Sequence, residues 1–164
     1  MTNYKLQINN LQAGQSLFEL TVAIAISALI VVAMVALATT AIKNSTYSKN
    51  KALASSYAQQ ATEWLRGERD SDVDTFMTTY AATGTWPAGY CLPDSSLNWN
   101  HWVGSVSINC TVPITGTIFK RWVTFKNVGM QNGKMVAETD VTVVWTDSGG
   151  LHEVTSATNF SDWK

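Results

Sequence analysis

The sequence carries no excess of basic residues and none of the common catalytic motifs. Lys and Arg number 11 against 12 Asp and Glu, a net charge of -1, so nucleic acid is not expected as the main partner. A Gly-rich phosphate loop, a Gly-x-Ser-x-Gly elbow and a His-Glu-x-x-His helix are all missing. His101 and His152 lack Cys or His neighbours at metal-ligand spacing. We therefore expect no enzymatic activity, no metal site and no cofactor.

Proline, glycine and charge are all missing from long parts of the N-terminal third. No Pro or Gly occurs from Gln15 to Arg66, and no charged residue occurs from Leu20 to Ile42. An apolar run of roughly 20 residues, rising about 1.5 Å per residue as a helix, spans a bilayer core of about 30 Å. The polar members of the run are Thr21, Ser27, Thr39 and Thr40. Glu19 stands at its head, and an acid at the edge of a membrane span is a functional-site hypothesis by default.

The first 14 residues differ from an ordinary secretory signal peptide, whose cleavage site follows the apolar region. Here the small residues Ala13-Gly14 precede it, so cleavage between Gly14 and Gln15 would leave the apolar helix on the mature protein. The orientation of the span is left open by charge. Lys5 favours a cytoplasmic leader, whereas a count of the lysines beyond the span favours the opposite; these are Lys43, Lys49 and Lys51.

The segment Gly14-Gln15-Ser16-Leu17-Phe18-Glu19-Leu20 resembles the prepilin cleavage and methylation motif of type IV pilins and type II secretion pseudopilins. In that family a Gly precedes the cut and a Glu is the fifth residue of the mature chain, as Gly14 and Glu19 would be. Gln15 replaces the usual Phe or Met, and Ala13 replaces the common Lys or Arg. Some members of the family have such departures, and Gln15 at the first mature position points toward a minor or atypical pilin.

The resemblance implies a structural subunit of a filament. A prepilin peptidase would cut after Gly14 and methylate Gln15. The mature chain would wait in the inner membrane with its head outside the cytoplasm, until an assembly platform moved it into a surface or periplasm-spanning filament. Its partners would be copies of itself, other pilins and membrane lipid. Glu19 would pair with the amine of Gln15 in an adjacent subunit. The simpler interpretation makes Glu19 an interfacial acid, or a capping-box partner of Ser16.

Beyond Ile42 the sequence stays compatible with a helix. An apolar stripe recurs at steps of three and four, made of Leu53, Tyr57, Ala61, Trp64 and Leu65, and Gly67 is the expected end of the helix. We predict four parts: a leader (1–14), a transmembrane or filament-core half-helix (15–42), an amphipathic half-helix (43–69) and a head (70–164). The charges at the helix end predict either solvated ion pairs or a contact with a neighbouring subunit; they are Glu63, Arg66, Glu68, Arg69 and Asp70.

The head begins with loops and continues as strands. Phe76, Met77 and Tyr80 predict one short helical turn. Strands are predicted at Val103–Cys110, Ile118–Val128, Val136–Asp147 and, more weakly, Leu151–Phe160, with turns at Asn132-Gly133 and Asp147-Ser148-Gly149-Gly150. Such short turns imply an antiparallel sheet of three or four strands, laid against the helix. The predicted fold class is therefore α+β with a pilin-like architecture.

Two features of the head leave alternatives open. Cys91 and Cys110 are the only cysteines, and an isolated pair in an oxidising compartment usually forms a disulfide, although two buried thiols are the alternative. The aromatic residues of the loop region would either cover the sheet or form a binding surface; they are Trp86, Tyr90, Trp99 and Trp102. The rival functions are accordingly a secretion or competence pseudopilin, and a membrane-anchored extracytoplasmic binding module.

Overall fold

A 55-residue helix, α1, spans Leu17–Ser71. The structure is a computed structural model that describes residues 17–81, 88–93, 97–99 and 110–162. The predicted end at Gly67 is wrong, because α1 continues through Gly67 for another turn. Gly67 is exposed with open space around its Cα, so nothing there forces the chain out of the helix. The helix ends where the extended backbone of Asp72 caps the next helical turn.

The chain divides into two compact units at the Ile42–Lys43 junction. The described part of the first unit is the N-terminal portion of α1, residues 17–42. Its side chains are exposed on every side of the helix, including 81% of Leu17 and 72% of Leu37. Length and composition make α1 suitable for crossing a membrane, with its most apolar part near the N-terminus.

The second unit, Lys43–Lys164, joins the rest of α1 to a four-stranded antiparallel sheet. After α1 come a short helix α2 (Val73–Thr75) and a π-helical turn (Phe76–Ala81). The strands are β1 (Ala88–Cys91), β2 (Lys120–Gln131), β3 (Lys134–Asp147) and β4 (Gly150–Ser161), in the order β1-β2-β3-β4. This confirms the predicted fold class, a long N-terminal helix packed on a small antiparallel sheet.

The two predicted hairpin turns are confirmed. Asn132 and Gly133 have φ angles of 53° and 79°, the left-handed pair that a two-residue β2–β3 hairpin turn requires. The pairing of Asp147 with Gly150 closes the β3–β4 hairpin around Ser148-Gly149. The weak C-terminal strand is real, since β4 pairs with β3 along its whole length. The other predicted strand, Val103–Cys110, lies outside the described residues except for Cys110, which belongs to no strand.

The core of the second unit lies between α1 and the inner face of the sheet. The helix contributes mostly small side chains: Ala54, Ala58, Ala61, Thr62 and Leu65. Strands β2 and β3 contribute larger ones on alternate positions, namely Val123, Phe125, Val141, Val143 and Trp145. The stripe prediction is wrong for Leu53, which is 39% exposed. The face that packs is centred on the alanines, whose short side chains let the backbones of helix and sheet come close together.

Candidate assembly helix and the head that holds it

Glu19 is the one ionisable side chain in the described part of the first unit. It lies in the first turn of α1 and is exposed. At this position the positive end of the helix dipole favours a carboxylate. No ion pair to Glu19 occurs within the described residues, whose four pairs all lie in the second unit. Gly14 and Gln15, the predicted cleavage and methylation residues, lie outside the residues that the structure describes.

The hydroxyl groups of the apolar segment are satisfied by the helix itself. Thr21 donates to the carbonyl of Phe18 at 2.8 Å, and Ser27 donates to that of Ala23 at 2.8 Å. Thr39 and Thr40 donate to carbonyls four residues earlier, at 2.8 and 2.9 Å. Hydroxyls bonded in this way do not need water, so they are tolerated in lipid. Among the polar side chains of residues 17–42, Glu19 is therefore the one for which the described residues supply no hydrogen bond or ion pair.

Arg121 links the sheet to the head portion of α1. It lies on the inner face of β2 and is 1% exposed. Its Nη1 donates to the carbonyl of Tyr57 and to the side-chain oxygen of Gln60, both at 3.1 Å, and its Nε donates to the carbonyl of Leu92 at 3.3 Å. Burial lowers the pKa of Arg121 to about 10, so it remains charged at neutral pH. Strand alternation places position 121 on the core face of β2. An arginine is normally expected at the surface, so the sequence gives no signal that this side chain is buried.

At one end of the sheet, Tyr47 of α1 packs on the β3–β4 hairpin. Its ring meets His152 edge-on at 5.0 Å between centroids and lies 6.2 Å from Trp145. His152 Nε2 donates to Asp147 Oδ1 at 2.9 Å, and the same oxygen accepts the Gly149 amide at 2.7 Å. The Gly149 amide, and after it His152, lowers the pKa of the Asp147 carboxyl. The hydrogen bond to Asp147 thus holds the His152 ring in the position where it packs against Tyr47.

The aromatic residues of the loop region pack inward where they are described. Trp99 stacks on Tyr80 with centroids 4.2 Å apart and lies 4.7 Å from Trp64. Its indole nitrogen donates to Glu68 at 2.9 Å. Tyr90 is 3% exposed. These contacts favour the interpretation that the aromatics cover the sheet and helix, whereas Trp86 and Trp102 lie outside the described residues.

Cys91 and Cys110 form the expected disulfide, with Cα atoms 5.7 Å apart. Both cysteines are buried. Cys91 ends β1, and Cys110 begins the segment that leads into β2. The Thr115 amide donates to the Pro93 carbonyl at 3.1 Å and holds the same two segments together. The disulfide therefore ties the loop region to the sheet.

The described residues bear on the expectations for metal and ligand sites. No group of three or more His, Cys, Asp or Glu side chains there is placed to hold a metal ion. A shallow groove of about 290 Å³ opens beside β2 and β3, with Lys120 as its one charged lining residue and Ile118, Trp145 and Leu151 around it.

Comparisons with protein-family models, with curated proteins and with solved structures return no match to this chain. The similarity of residues 14–20 to a prepilin motif therefore stays a resemblance, and the function that it implies is a proposal.

Proposed function

We propose that this chain is a structural subunit of a type IV pilus-like filament. It is processed after Gly14 by a prepilin peptidase, methylated at Gln15, and polymerised through α1 with copies of itself and other pilins. Before assembly it is a single-pass protein of the inner membrane, with its head outside the cytoplasm, in contact with lipid and an assembly platform. The alternative is a pseudopilin of a secretion or competence system, which would use the same kind of helix in a different assembly machine.

The observation that carries the proposal is an exposed apolar helix with a carboxylate in its first turn, continuous with a helix that packs on a head. The apolar side chains of residues 17–42 are exposed, so they need lipid or other helices around them. A carboxylate beside such a segment is costly until it meets a cation. The new amino terminus of a neighbouring copy supplies that cation only after cleavage, which links processing to assembly.

The contacts that attach α1 to the sheet of the head fit the same role. Arg121, the Tyr47 contact and the buried alanines of α1 hold the helix against the sheet at several levels. Between Tyr47 and Leu65 these contacts join α1 to the sheet, so a displacement of this part of the helix carries the head with it. A filament subunit needs this property, because its position is set by the helix and its outer surface by the head.

Mass spectrometry of the protein purified from host membranes tests the processing step. We expect a chain that begins at Gln15 and carries one additional methyl group on its amino terminus. Deleting the host prepilin peptidase should return the mass to that of the unprocessed chain. Recovery of a chain that retains residues 1–14 in a host with an active peptidase would contradict the proposal.

Replacing Glu19 with alanine tests the assembly step. We expect the Glu19→Ala chain to be processed and to accumulate in the membrane, yet to be missing from sheared filament fractions, because its segment no longer attracts the neighbouring amine. The matched control is Glu153→Ala, which removes an exposed acid from β4 of the head. If Glu19→Ala enters filaments as well as the control does, Glu19 has no role in assembly. If the wild-type chain itself is never recovered in sheared filament fractions, the helix is only an anchor, as in a membrane-attached binding module.

A further inference from the structure

Charge is segregated along the head portion of α1 and the turn that follows it. From Lys43 to Thr62 the chain has three lysines and no acid; we name Lys43–Lys51 the basic segment. From Glu63 to Asp74, the acidic segment, it has five acids and two arginines. The acids are Glu63, Glu68, Asp70, Asp72 and Asp74. The acidic segment therefore has three more acids than arginines, and this excess equals the number of lysines in the basic segment.

Members of both segments lie on the outward face of α1. At about 100° per residue, Lys49, Glu63 and Asp70 fall within roughly 60° of one another. They lie opposite the face that carries Ala54 and Ala58, and all three charged residues are exposed. The outward face between them is neutral and consists of small or uncharged side chains such as Ser56 and Gln59. On this face Lys49 is the positive end, and Glu63 and Asp70 form the negative end. Lys43 and Lys51 lie about 120° and 160° around the helix from Lys49, so Lys49 is the lysine that this face presents.

Within one copy, Lys49 is too far from Glu63 and Asp70 to form an ion pair with either. Fourteen residues separate Lys49 from Glu63 and twenty-one separate it from Asp70, which is about 21 and 32 Å along the helix. Glu63 pairs with Arg66 and Asp70 pairs with Arg69, each at 2.6 Å. Among the described residues, no acid lies within ion-pair distance of Lys43, Lys49 or Lys51.

We propose that the outward face of α1 is an interface between copies of this chain, in which the basic segment of one copy lies against the acidic segment of the next. This inference rests on the proposed filament function and names the contact that sets the stagger between subunits. Copies anchored in one membrane have the same orientation, so their helices meet in parallel. Opposite charges then face each other only when one copy is displaced along the helix axis by about 21–32 Å.

A staggered contact of this kind suits a filament. The basic segment of each copy is used by one neighbour and its acidic segment by another, so the contact is heterologous and continues without closing. An anionic lipid surface would match the basic segment alone and would leave the acidic segment without a role. Lys49 shares the outward face with Glu63 and Asp70, and this favours a second copy as the partner.

Disulfide cross-linking in the full-length chain measures the stagger. Two doubly substituted chains, K49C/E63C and K49C/D70C, place their new thiols about 21 and 32 Å apart in one helix, whereas a disulfide needs Cα atoms within about 7 Å. Any bond between the new thiols is consequently intermolecular. In sheared filaments oxidised under mild conditions, we expect at least one of these chains to give a ladder of multimers on a non-reducing gel.

The matched control is K49C/S56C, which puts the second thiol in the neutral middle of the same face. We expect it to give no ladder, because a stagger that pairs opposite charges does not bring these two positions together. A ladder from the control alone, or no ladder from any of the three chains while filaments form, would overturn the proposed register.

Charge reversal tests the chemistry of the contact. We expect K49E to lower the amount of the chain in filaments by roughly fivefold, the effect of losing about one surface ion pair at each contact. The double reversal K49E/E63K should restore incorporation, since every neighbouring pair regains complementary charges. The control K134E reverses an exposed lysine of β3 and should enter filaments normally.

The outcomes separate this interface from the proposed function itself. If no filament forms and the leader is retained, the filament role fails. If filaments depend on Glu19 but K49E enters them as well as K134E does, the filament role stands and this interface is wrong. If K49E fails and K49E/E63K fails equally, while binding to anionic vesicles falls in both, the basic segment serves a lipid surface and the interface between copies is again wrong.

Discussion

Arg121 is a full charge held inside the head, where desolvation is costly unless hydrogen bonds compensate it. Its donors reach the carbonyls of Tyr57 and Leu92 and the side chain of Gln60. These acceptors belong to α1 and to the segment after β1. One residue thereby joins three parts of the second unit.

We expect Arg121→Ala to lower the free energy of unfolding by about 2–4 kcal/mol, because it opens space in the core and leaves buried acceptors without this donor. Chemical denaturation of the purified protein measures the change. Arg66→Ala is the control, since it removes an exposed pair with Glu63 and should cost less than about 1 kcal/mol. Equal effects of the two substitutions would show that Arg121 does not link helix and sheet.

Asp147 is a second residue whose state affects the contact between α1 and the β3–β4 hairpin. Its carboxylate accepts hydrogen bonds from the Gly149 amide and from His152, and these lower its pKa below the ordinary value of 3.8. The folded state therefore binds this proton less readily than the unfolded state. The resulting stabilisation is fully present above about pH 4 and is lost as the pH falls through the lowered pKa.

We expect Asp147→Asn to lower the melting temperature at pH 7. The difference from the wild type should shrink as the pH is lowered into the acidic range, because the wild-type carboxyl takes up its proton as the pH falls through its lowered pKa. Thermal unfolding of both proteins over this pH range provides the measurement. A difference in melting temperature that does not shrink at any acidic pH would assign the effect of the substitution to something other than charge.

At the scale of elements, two glycines differ in backbone conformation. Gly67 lies inside α1 with open space around its Cα, whereas Gly133 has a φ of 79° in the β2–β3 turn. A side chain in the middle of a helix restricts the unfolded chain and favours the helix, but a side chain at positive φ is strained.

We expect Gly67→Ala to raise the free energy of unfolding by about 0.5–1 kcal/mol and Gly133→Ala to lower it by about 1 kcal/mol. The pair can be compared in one series of urea unfolding experiments. Destabilisation by Gly67→Ala would mean that this glycine is required for a close contact with a neighbouring chain or for a bend in α1.

The strands of the sheet differ in how far local pattern predicts them. β2 and β3 alternate apolar and polar residues over many positions, so their inner faces were predictable from Val123, Phe125, Val141 and Val143. β1 has four residues, Ala88-Gly89-Tyr90-Cys91, and lies in a region rich in Gly and Pro. So short a segment carries no periodicity, and it forms a strand because β2 offers it an edge.

At the scale of the whole molecule, the two units differ in whether their apolar side chains are buried. The described part of the first unit exposes apolar side chains around the entire helix, while the second unit has its own core between α1 and the sheet. A core of its own is what a segment needs to fold independently. The uncovered apolar surface that lipid or other helices could bury therefore belongs to residues 17–42.

We expect a fragment of residues 43–164, produced in an oxidising compartment, to fold as a soluble monomer with the Cys91–Cys110 disulfide. Size-exclusion chromatography and near-ultraviolet circular dichroism would report a single species with fixed aromatic packing. Aggregation of the fragment, or loss of the aromatic signal, would show that the head requires the preceding helix in order to fold.

Local pattern alone determined that this chain has a membrane-compatible N-terminal helix, a lone acid near its start, antiparallel strands and a cysteine pair. Each of these follows from neighbouring residues, because the periods of helices and strands and the length of a bilayer span are local properties. The tertiary structure decided that the alanine face of α1 packs instead of a face that includes Leu53, that Arg121 is buried, and that Tyr47 meets His152. Those outcomes depend on which distant segments come together. The free energy of each contact depends on two residues far apart in the sequence, so a local pattern cannot reveal it.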